Sequence, residues 1–219
     1  MANALKYNSN GDKIGEVQLP ASIFEAECKN PKALLYEVVN MYRANQRQGT
    51  KATKSRGLVR GSTRKLGNQK GSGGARMGSR RSPIRVGGGH AFRIDPKCWY
   101  KHIPFQKKRL ALKLVLTDRA KEGKILIVEN LNYDKPNTKA AKTLIEKLVT
   151  EKGRILIVTK GNDKAVVRSF SNLEFVETAR AEGLNAYGTL KHSFIIMTEE
   201  ALQQVEEVFG KWYIQEKLS

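Results

Sequence analysis

Acidic residues are missing from a long internal stretch of this 219-residue chain. None occurs from Val38 to Ile94, and Asp95 is the single acid between Val38 and Thr117, a window that contains 20 lysines and arginines. The rest of the chain has 20 basic and 20 acidic residues, so the whole net charge of +19 belongs to this window. Solvated surfaces mix both signs, and a small domain seldom needs a net charge beyond about 8. The separation indicates a surface for a polyanion, and nucleic acid is the expected one because each phosphate contact releases a counterion.

Cysteines and long apolar runs are also scarce. The two cysteines, Cys28 and Cys98, lie far apart and form no CxxC pair, which excludes a disulfide framework and a zinc ribbon and fits a reducing compartment. No apolar run approaches the roughly 18 residues of a membrane span. Residues 1–17 have neither the apolar stretch of a signal peptide nor the bias of a transit peptide. We therefore expect a cytoplasmic protein with no membrane partner.

Nucleotide-binding loops are absent despite the many glycines. Gly73 and Gly78 have the spacing of a P-loop, but Ser79 follows directly where that loop needs a lysine. The triple glycine at 87–89 does not match GxGxxG, and it neither follows a strand nor opens a helix. We expect no nucleotide or other cofactor.

Catalytic and metal-binding groupings are missing as well. His90, Cys98 and His102 have no fourth ligand and lack the spacing that structural zinc prefers. Cys98 has no orienting acid nearby except Asp95. An enzyme acting on RNA would need paired acids, a partnered histidine or a metal within the basic region. We therefore predict no catalytic residue and no metal, and interpret the chain as non-enzymatic.

Apolar patterning outside the basic region predicts an α/β domain. The runs KILIVEN at 124–130 and GRILIVT at 153–159 are near-continuous and β-branched, which is typical of strands buried on both faces of a sheet. A helical pattern between them makes a βαβ unit. The other predicted elements of this part are a helix at 163–173, strands at 174–178 and 192–198, and a last helix through EEALQQVEEVFGKWY that is capped by Thr198.

The amino-terminal part adds a hairpin and two helices. The turn signal at 10–12 lies between two strand-like runs. A helix should start with Asn30 as its N-cap and Pro31 at its first position, and run to about Arg47. Its apolar stripe is Leu34, Leu35, Val38 and Met41, and a basic helix from about 105 has Leu110, Leu114 and Leu116 toward a core. The fold class expected is α/β, a three-layer sandwich with a mostly parallel sheet and a long basic Gly/Arg-rich extended loop.

That loop is predicted at 48–89, inserted into a globular domain formed by 1–47 and 90–219. Residues 49–89 contain 11 of the 19 glycines and show no apolar period, so we expect them to be disordered alone and to order on a ligand. About 40 residues used out and back reach on the order of 65 Å. A thin, glycine-rich arm suits the deep crevices of a large folded RNA better than a duplex DNA surface.

Arginine predominates over lysine in this loop, and the planar guanidinium group of arginine can make bidentate hydrogen bonds to phosphates. The aromatic pair Trp99 and Tyr100, beside Lys97 and Lys101, fits either base stacking or packing against the helix that starts near 105. The residues predicted to bind RNA are Arg47, Lys51, Lys54, Arg56, Arg60, Arg64, Lys65, Gln69, Lys70, Arg76, Arg80, Arg81, Arg85, Lys107, Lys108 and Arg109.

A family resemblance rests on motifs along the whole chain, and the loop motifs are the most specific. These are Arg47-Gln48-Gly49-Thr50, Lys54-Ser55-Arg56, Val59-Arg60-Gly61-Ser62, Lys65, Gln69-Lys70-Gly71-Ser72-Gly73, Ala75-Arg76, Gly78-Ser79, Ser82-Pro83, Gly87-Gly88-Gly89, Phe92, Lys107 through Lys113 and, more weakly, Asn137-Thr138-Lys139. In these the chain resembles the large-subunit ribosomal protein L-four family of bacterial or organellar type.

The resemblance implies a structural component of the large ribosomal subunit. Such a protein binds large-subunit rRNA of the 23S type early in assembly, adjoins other large-subunit proteins, and resides in the ribosome of a bacterium or an organelle. It also implies a loop tip, Lys65, Leu66, Gly67, Asn68 and Gln69, that lines the nascent-peptide exit tunnel and meets the nascent peptide.

The tip departs from the family's usual Lys-Pro-Trp-Arg-Gln-Lys, because this chain has Leu66, Gly67 and Asn68 in the middle of that run. A free-standing basic RNA- or DNA-binding protein, acting as a chaperone or compacting factor, is the alternative. It would have no reason to surround a single internal arm with an acid-balanced α/β domain.

Overall fold

The computed structural model describes residues 2–131, 133 and 135–210. It divides the chain into two compact units. The first, here called the α/β unit, comprises Met1–Tyr42 and His102–Ser219, and the second, here called the basic segment, comprises Arg43–Lys101.

Within the described residues, all six strands and nearly all of the helical residues belong to the α/β unit. In chain order the elements are β1 (Asn3–Tyr7), β2 (Lys13–Gln18), α1 (Ala21–Phe24), α2 (Pro31–Asn45), α3 (Phe105–Lys121), β3 (Ile125–Val128), α4 (Thr138–Leu148), β4 (Ile155–Thr159), α5 (Lys164–Phe170), β5 (Val176–Arg180), a 3-10 turn (Ala181–Gly183), α6 (Ala186–Lys191), β6 (Phe194–Thr198) and α7 (Glu199–Gly210). Only the last residues of α2 extend into the basic segment.

The strands form one six-stranded sheet in the order β2-β1-β3-β6-β4-β5. The β1–β2 hairpin is antiparallel, and the other four pairings are parallel. The predicted fold class, α/β with a mostly parallel sheet, is thereby confirmed. The strands β3 and β4, which sequence analysis paired in one βαβ unit, are parallel but lie on either side of β6.

Alternation along the central strands divides the core between the two faces of the sheet. Ile125 and Ile127 of β3 belong to one apolar cluster, which also contains residues of α1, α2, α3 and α7. Leu126 and Val128 belong to a second cluster with residues of α4 and α5. Successive side chains of a strand point to opposite faces, so helices cover both faces and the architecture has three layers.

Side-chain caps begin several of the helices. The Oγ1 of Thr198 accepts a hydrogen bond from the backbone N–H of Ala201 at 3.2 Å, which confirms the predicted cap of α7. Asn137 caps α4 through a 3.1 Å bond from Ala140, and such a cap contributes about 1 kcal/mol. Residues 211–213, included in the predicted last helix, lie outside the described residues.

The predicted core face of α3 needs correction. Leu116 is buried as expected, but Leu110 and Leu114 are only half-buried, whereas Leu112 and Val115 are buried. Apolar residues of α3 occur around most of its circumference, so their spacing in the sequence does not identify which side of the helix is buried.

Several further elements differ from the sequence expectation. The third predicted strand is displaced by two residues, from 174–178 to Val176–Arg180. The short helices α1 and α6 were not predicted, and α2 ends at Asn45. No helix among the described residues is long and apolar enough to cross a membrane.

Candidate nucleic-acid interface

The two ends of the basic segment are joined where it starts. The side chain of Asn45 makes two hydrogen bonds to the backbone of Lys101: its amide donates to the carbonyl at 3.2 Å, and its Oδ1 accepts from the N–H at 2.8 Å. One step further along, the N–H of Lys97 donates to the carbonyl of Gly49 at 3.1 Å. The outgoing and returning arms therefore lie side by side and antiparallel at this point.

This cross-arm pairing continues outward. The N–H of Thr53 donates to the carbonyl of Ile94 at 2.9 Å, and the N–H of Ile94 donates to the Oγ1 of Thr53 at 2.8 Å. The N–H of His90 donates to the carbonyl of Lys54 at 2.8 Å. The base of the basic segment is thus a narrow ribbon held by backbone hydrogen bonds, although it forms no regular strand.

Two glycines are required by the close approach of the arms. Gly49 has φ +66, and a Cβ there would lie 2.0 Å from the carbonyl oxygen of Lys97. A Cβ on Gly89 would lie 2.2 Å from the backbone nitrogen of Arg56. Any side chain would push the arms apart at these positions. At Gly67, by contrast, a Cβ would meet nothing within 4 Å.

Beyond the ribbon the chain forms an outer loop. An isolated bridge joins Lys65 to Ser79, and the N–H of Leu66 donates to the carbonyl of Gly78 at 3.2 Å. Residues 66–78 therefore form the apex of the basic segment. The predicted tip residues lie at this bridge and in the apex, and the ammonium of Lys65 donates to the side-chain carbonyl of Gln69.

Backbone hydrogen bonds are unevenly distributed in the segment. They tie residues 53–54 to 90–94 and form consecutive turns from Ser79 to Gly89, whereas none is recorded within 67–77, all of which the structure describes. The expectation that 49–89 is disordered without RNA stays a prediction. Amide NMR of the free protein tests it: we expect sharp, poorly dispersed signals that are most pronounced at the apex, and dispersed, exchange-protected amides there would contradict it.

The charge of the basic segment is almost uncompensated. It contains 16 lysines and arginines and one acid, Asp95. The guanidinium of Arg93 contacts both carboxylate oxygens of Asp95, at 3.0 and 3.1 Å. The remaining cations thus have no carboxylate within the segment to neutralise them.

Most of the predicted RNA-binding residues of the segment are exposed to solvent. Arg81 and Arg85 are half-buried, and the side chain of Arg81 lies across Gly61 with its Nε 3.9 Å from the position of a Cβ there. The exposed members are Arg47, Lys51, Lys54, Arg56, Arg60, Arg64, Lys65, Gln69, Lys70, Arg76 and Arg80.

Trp99 and Tyr100 differ in their surroundings. The guanidinium carbon of Arg47 lies 3.5 Å from the centroid of the Trp99 ring, and the ammonium of Lys97 lies 4.5 Å from it. Both distances are within the range of cation–π attraction. Trp99 therefore packs within the ribbon, whereas Tyr100 projects into solvent.

The three predicted residues of α3 lie in the α/β unit and have a different setting. Lys107 forms an ion pair with Glu37 at 3.0 Å. The guanidinium of Arg109 lies 4.3 Å from the ring centroid of Phe105 and 5.9 Å from that of Phe209. Lys108 is half-buried. Sequence reasoning missed Glu37 and Phe209 because they are distant in the chain from the residues they contact.

Acids and bases are paired more generally in the α/β unit. Lys6 contacts Glu199 at 3.1 Å and Glu129 at 3.2 Å, and these bonds raise its pKa. Hydrogen bonds from Lys124 and Arg119 lower the pKa of Glu122. Among the described residues no group of three or more His, Cys, Asp or Glu side chains is arranged to hold a metal ion.

The chain thus combines an α/β unit in which acids and bases are paired with an acid-poor ribbon whose cations are mostly exposed. A sequence profile described as the Ribosomal protein L4/L1 family matches residues 17–208. The chain belongs to that family, whose members are structural and non-enzymatic.

Similar proteins cover nearly the whole chain. The large ribosomal subunit protein uL4 of Natranaerobius thermophilus is 40% identical over 209 residues, which is 95% of this chain and 100% of the relative. The proteins of the same name from Carboxydothermus hydrogenoformans and Alkaliphilus oremlandii are 42% and 39% identical, over 93% of this chain and 97% of each relative. The resemblance inferred from the loop motifs is thereby confirmed.

Proposed function

We propose that this protein is a structural component of the large ribosomal subunit in the cytoplasm of a bacterium, and that its basic segment binds 23S-type rRNA. The observation that carries the proposal is the basic segment itself, in which 16 cations accompany one acid and that acid is paired with Arg93. The names and organisms of the similar proteins support the ribosomal assignment.

The ribbon geometry supports binding inside a folded RNA. Two backbone arms are held side by side by hydrogen bonds, with glycine at the tightest contacts, so no side chain separates the arms there. Cations along both arms can then contact phosphates on several sides of a crevice, and each such contact adds to affinity and to salt dependence. The family resemblance implies an early role in subunit assembly, and in this proposal the apex orders on RNA at that step.

The apex is the part we assign to the nascent-peptide exit tunnel. Its residues Leu66, Gly67 and Asn68 are uncharged, and Lys65 contributes the cation next to them. In this proposal Lys65 holds an rRNA phosphate at the tunnel wall, while Gly67 without a side chain and the short Asn68 leave space for the nascent peptide. Neighbouring large-subunit proteins are expected to contact the α/β unit.

Sedimentation tests the assignment most directly. Full-length tagged protein is expressed in a bacterial host, and the lysate is resolved on a sucrose gradient at moderate and at high salt. We expect comigration with the large subunit that persists at high salt, because an inserted segment must unthread in order to leave. A pool that stays free, or that sediments with DNA, would contradict the proposal and favour the free-standing binding protein.

A further inference from the structure

Phe92 and Tyr100 are two aromatic rings that project from the returning arm of the ribbon. Phe92 is 96% exposed and Tyr100 is 68% exposed. Burying a phenyl group contributes about 1.5–3 kcal/mol to stability, and an exposed ring does not make this contribution. Isolated exposed side chains of this kind are common, so exposure alone assigns no role to these rings.

The backbone around both rings is held, however. Phe92 lies between His90 and Ile94, whose N–H groups are bonded to Lys54 and Thr53 on the opposite arm. On either side of Tyr100, the N–H of Lys97 is bonded to Gly49, and both backbone polar groups of Lys101 are bonded to Asn45. Each ring is thus presented from a fixed base, which lowers the entropy lost when a partner orders it.

The electrostatic surroundings select the class of partner. The acid closest in sequence to either ring is Asp95, and Arg93 engages both of its carboxylate oxygens. A strand of phosphates therefore meets no free carboxylate of the basic segment near these rings. Trp99, between them, is unavailable because Arg47 and Lys97 lie against its ring.

We propose that Phe92 and Tyr100 are stacking platforms for unpaired nucleobases of RNA, so that the ribbon binds single-stranded or bulged nucleotides as well as phosphates. This inference rests on the proposed function, since it names the kind of RNA that the basic segment contacts. Bases stack on exposed aromatic faces irrespective of sequence, and such a platform strengthens binding without changing the number of ionic contacts.

The test compares two RNA probes with full-length protein. One is a short, non-self-complementary strand that contains 2-aminopurine, and the other is the duplex of the same strand. We expect Phe92→Ala and Tyr100→Ala each to weaken binding to the single strand about 5-fold or more and to reduce quenching of the 2-aminopurine. Duplex affinity and the salt slope should stay as in the wild type. Ile84→Ala is the matched control, because Ile84 is 87% exposed in the same segment but is not aromatic.

Substitutions at Phe92 separate stacking from a merely apolar contact. Phe92→Trp should bind the single strand as tightly as the wild type, and Phe92→Leu should bind as weakly as Phe92→Ala. Wild-type affinity of Phe92→Leu, or of both alanine variants, would overturn the inference. So would a variant that binds RNA normally yet no longer comigrates with the subunit, since that result would assign the ring to a protein partner. Failure of the wild type to comigrate would instead refute the proposed function.

Discussion

The α/β unit and the basic segment differ in their balance of charges and in whether their apolar side chains are buried. The α/β unit has 24 basic and 20 acidic residues and buries its apolar side chains in two clusters, one on each face of the sheet. The basic segment has 16 basic residues, one acid and several large apolar side chains in solvent. We therefore expect folding stability to depend mainly on the α/β unit and polyanion affinity mainly on the basic segment. Substitutions should change one property without the other.

Deleting residues 52–86 should have the largest effect. The deletion removes 10 lysines and arginines and no acid, so we expect RNA affinity at low salt to fall by about 10³-fold and the salt dependence to become shallower. The α/β unit should still melt cooperatively, because its strands and core lie outside the deletion. Calorimetry and RNA titration at several salt concentrations measure both effects. Loss of the cooperative transition would show that the basic segment contributes to the core.

Phe170→Ala tests whether the stability of the α/β unit can be lowered without changing RNA binding. Phe170 is fully buried between α5 and the sheet, and its truncation should lower the free energy of unfolding by about 3–5 kcal/mol. The affinity and salt slope of the protein that remains folded should match the wild type, which urea denaturation and RNA titration at low temperature can establish. A changed salt slope would mean that the two properties are not separate.

Gly89→Ala tests whether the shape of the ribbon matters for binding. The new Cβ would clash with the backbone of Ser55 and Arg56, so the arms must separate. We expect RNA affinity to fall roughly 10-fold, which corresponds to about 1.4 kcal/mol and lies within what backbone strain can cost, with no change in the melting of the α/β unit. Gly67→Ala is the matched control, since its Cβ would meet nothing within 4 Å. Equal affinities for the two variants would show that the arms need not be close.

Lys65→Glu should have the smallest effect on overall affinity and the most local consequence. It reverses one charge beside the apex, so we expect altered sensitivity to tunnel-binding antibiotics or altered nascent-chain passage. Lys164→Glu, which reverses another exposed lysine at the start of α5, should change neither. Growth in the presence of the drugs and ribosome profiling provide the readouts. If the two variants behave alike, the tunnel assignment is wrong and only the RNA-binding proposal remains.

The parts of the fold that could be predicted from the sequence are those with a single dominant local signal. β3, β4 and β6 are short, β-branched apolar runs, a composition that is typical of strands buried on both faces. The predicted range of β5 differs from the observed one by two residues. Its sequence, VETAR, mixes polar and apolar residues because the strand lies at the edge of the sheet, where burial is incomplete. The helix α6 is too short for a period, and its cap, Asn185, was not recognised.

In the candidate interface, too, composition could be predicted from the sequence, whereas contacts between residues far apart in the chain could not. Its charge and glycine content are properties of the chain itself and could be read directly. The pairing of Asn45 with Lys101, the clash that makes Gly89 necessary and the ion pair of Lys107 with Glu37 join residues far apart in sequence. No local pattern encodes such contacts, so only the structure could distinguish the held aromatic rings from Trp99.

The place of β6 has a consequence for the order in which the protein can be completed during its own synthesis. Among the described residues β6 is the last strand along the chain, yet it lies in the middle of the sheet and pairs with both β3 and β4. Until residues 194–198 arrive, β2-β1-β3 and β4-β5 are two half-sheets with no shared edge. The basic segment is therefore synthesised well before the sheet of the α/β unit can be completed.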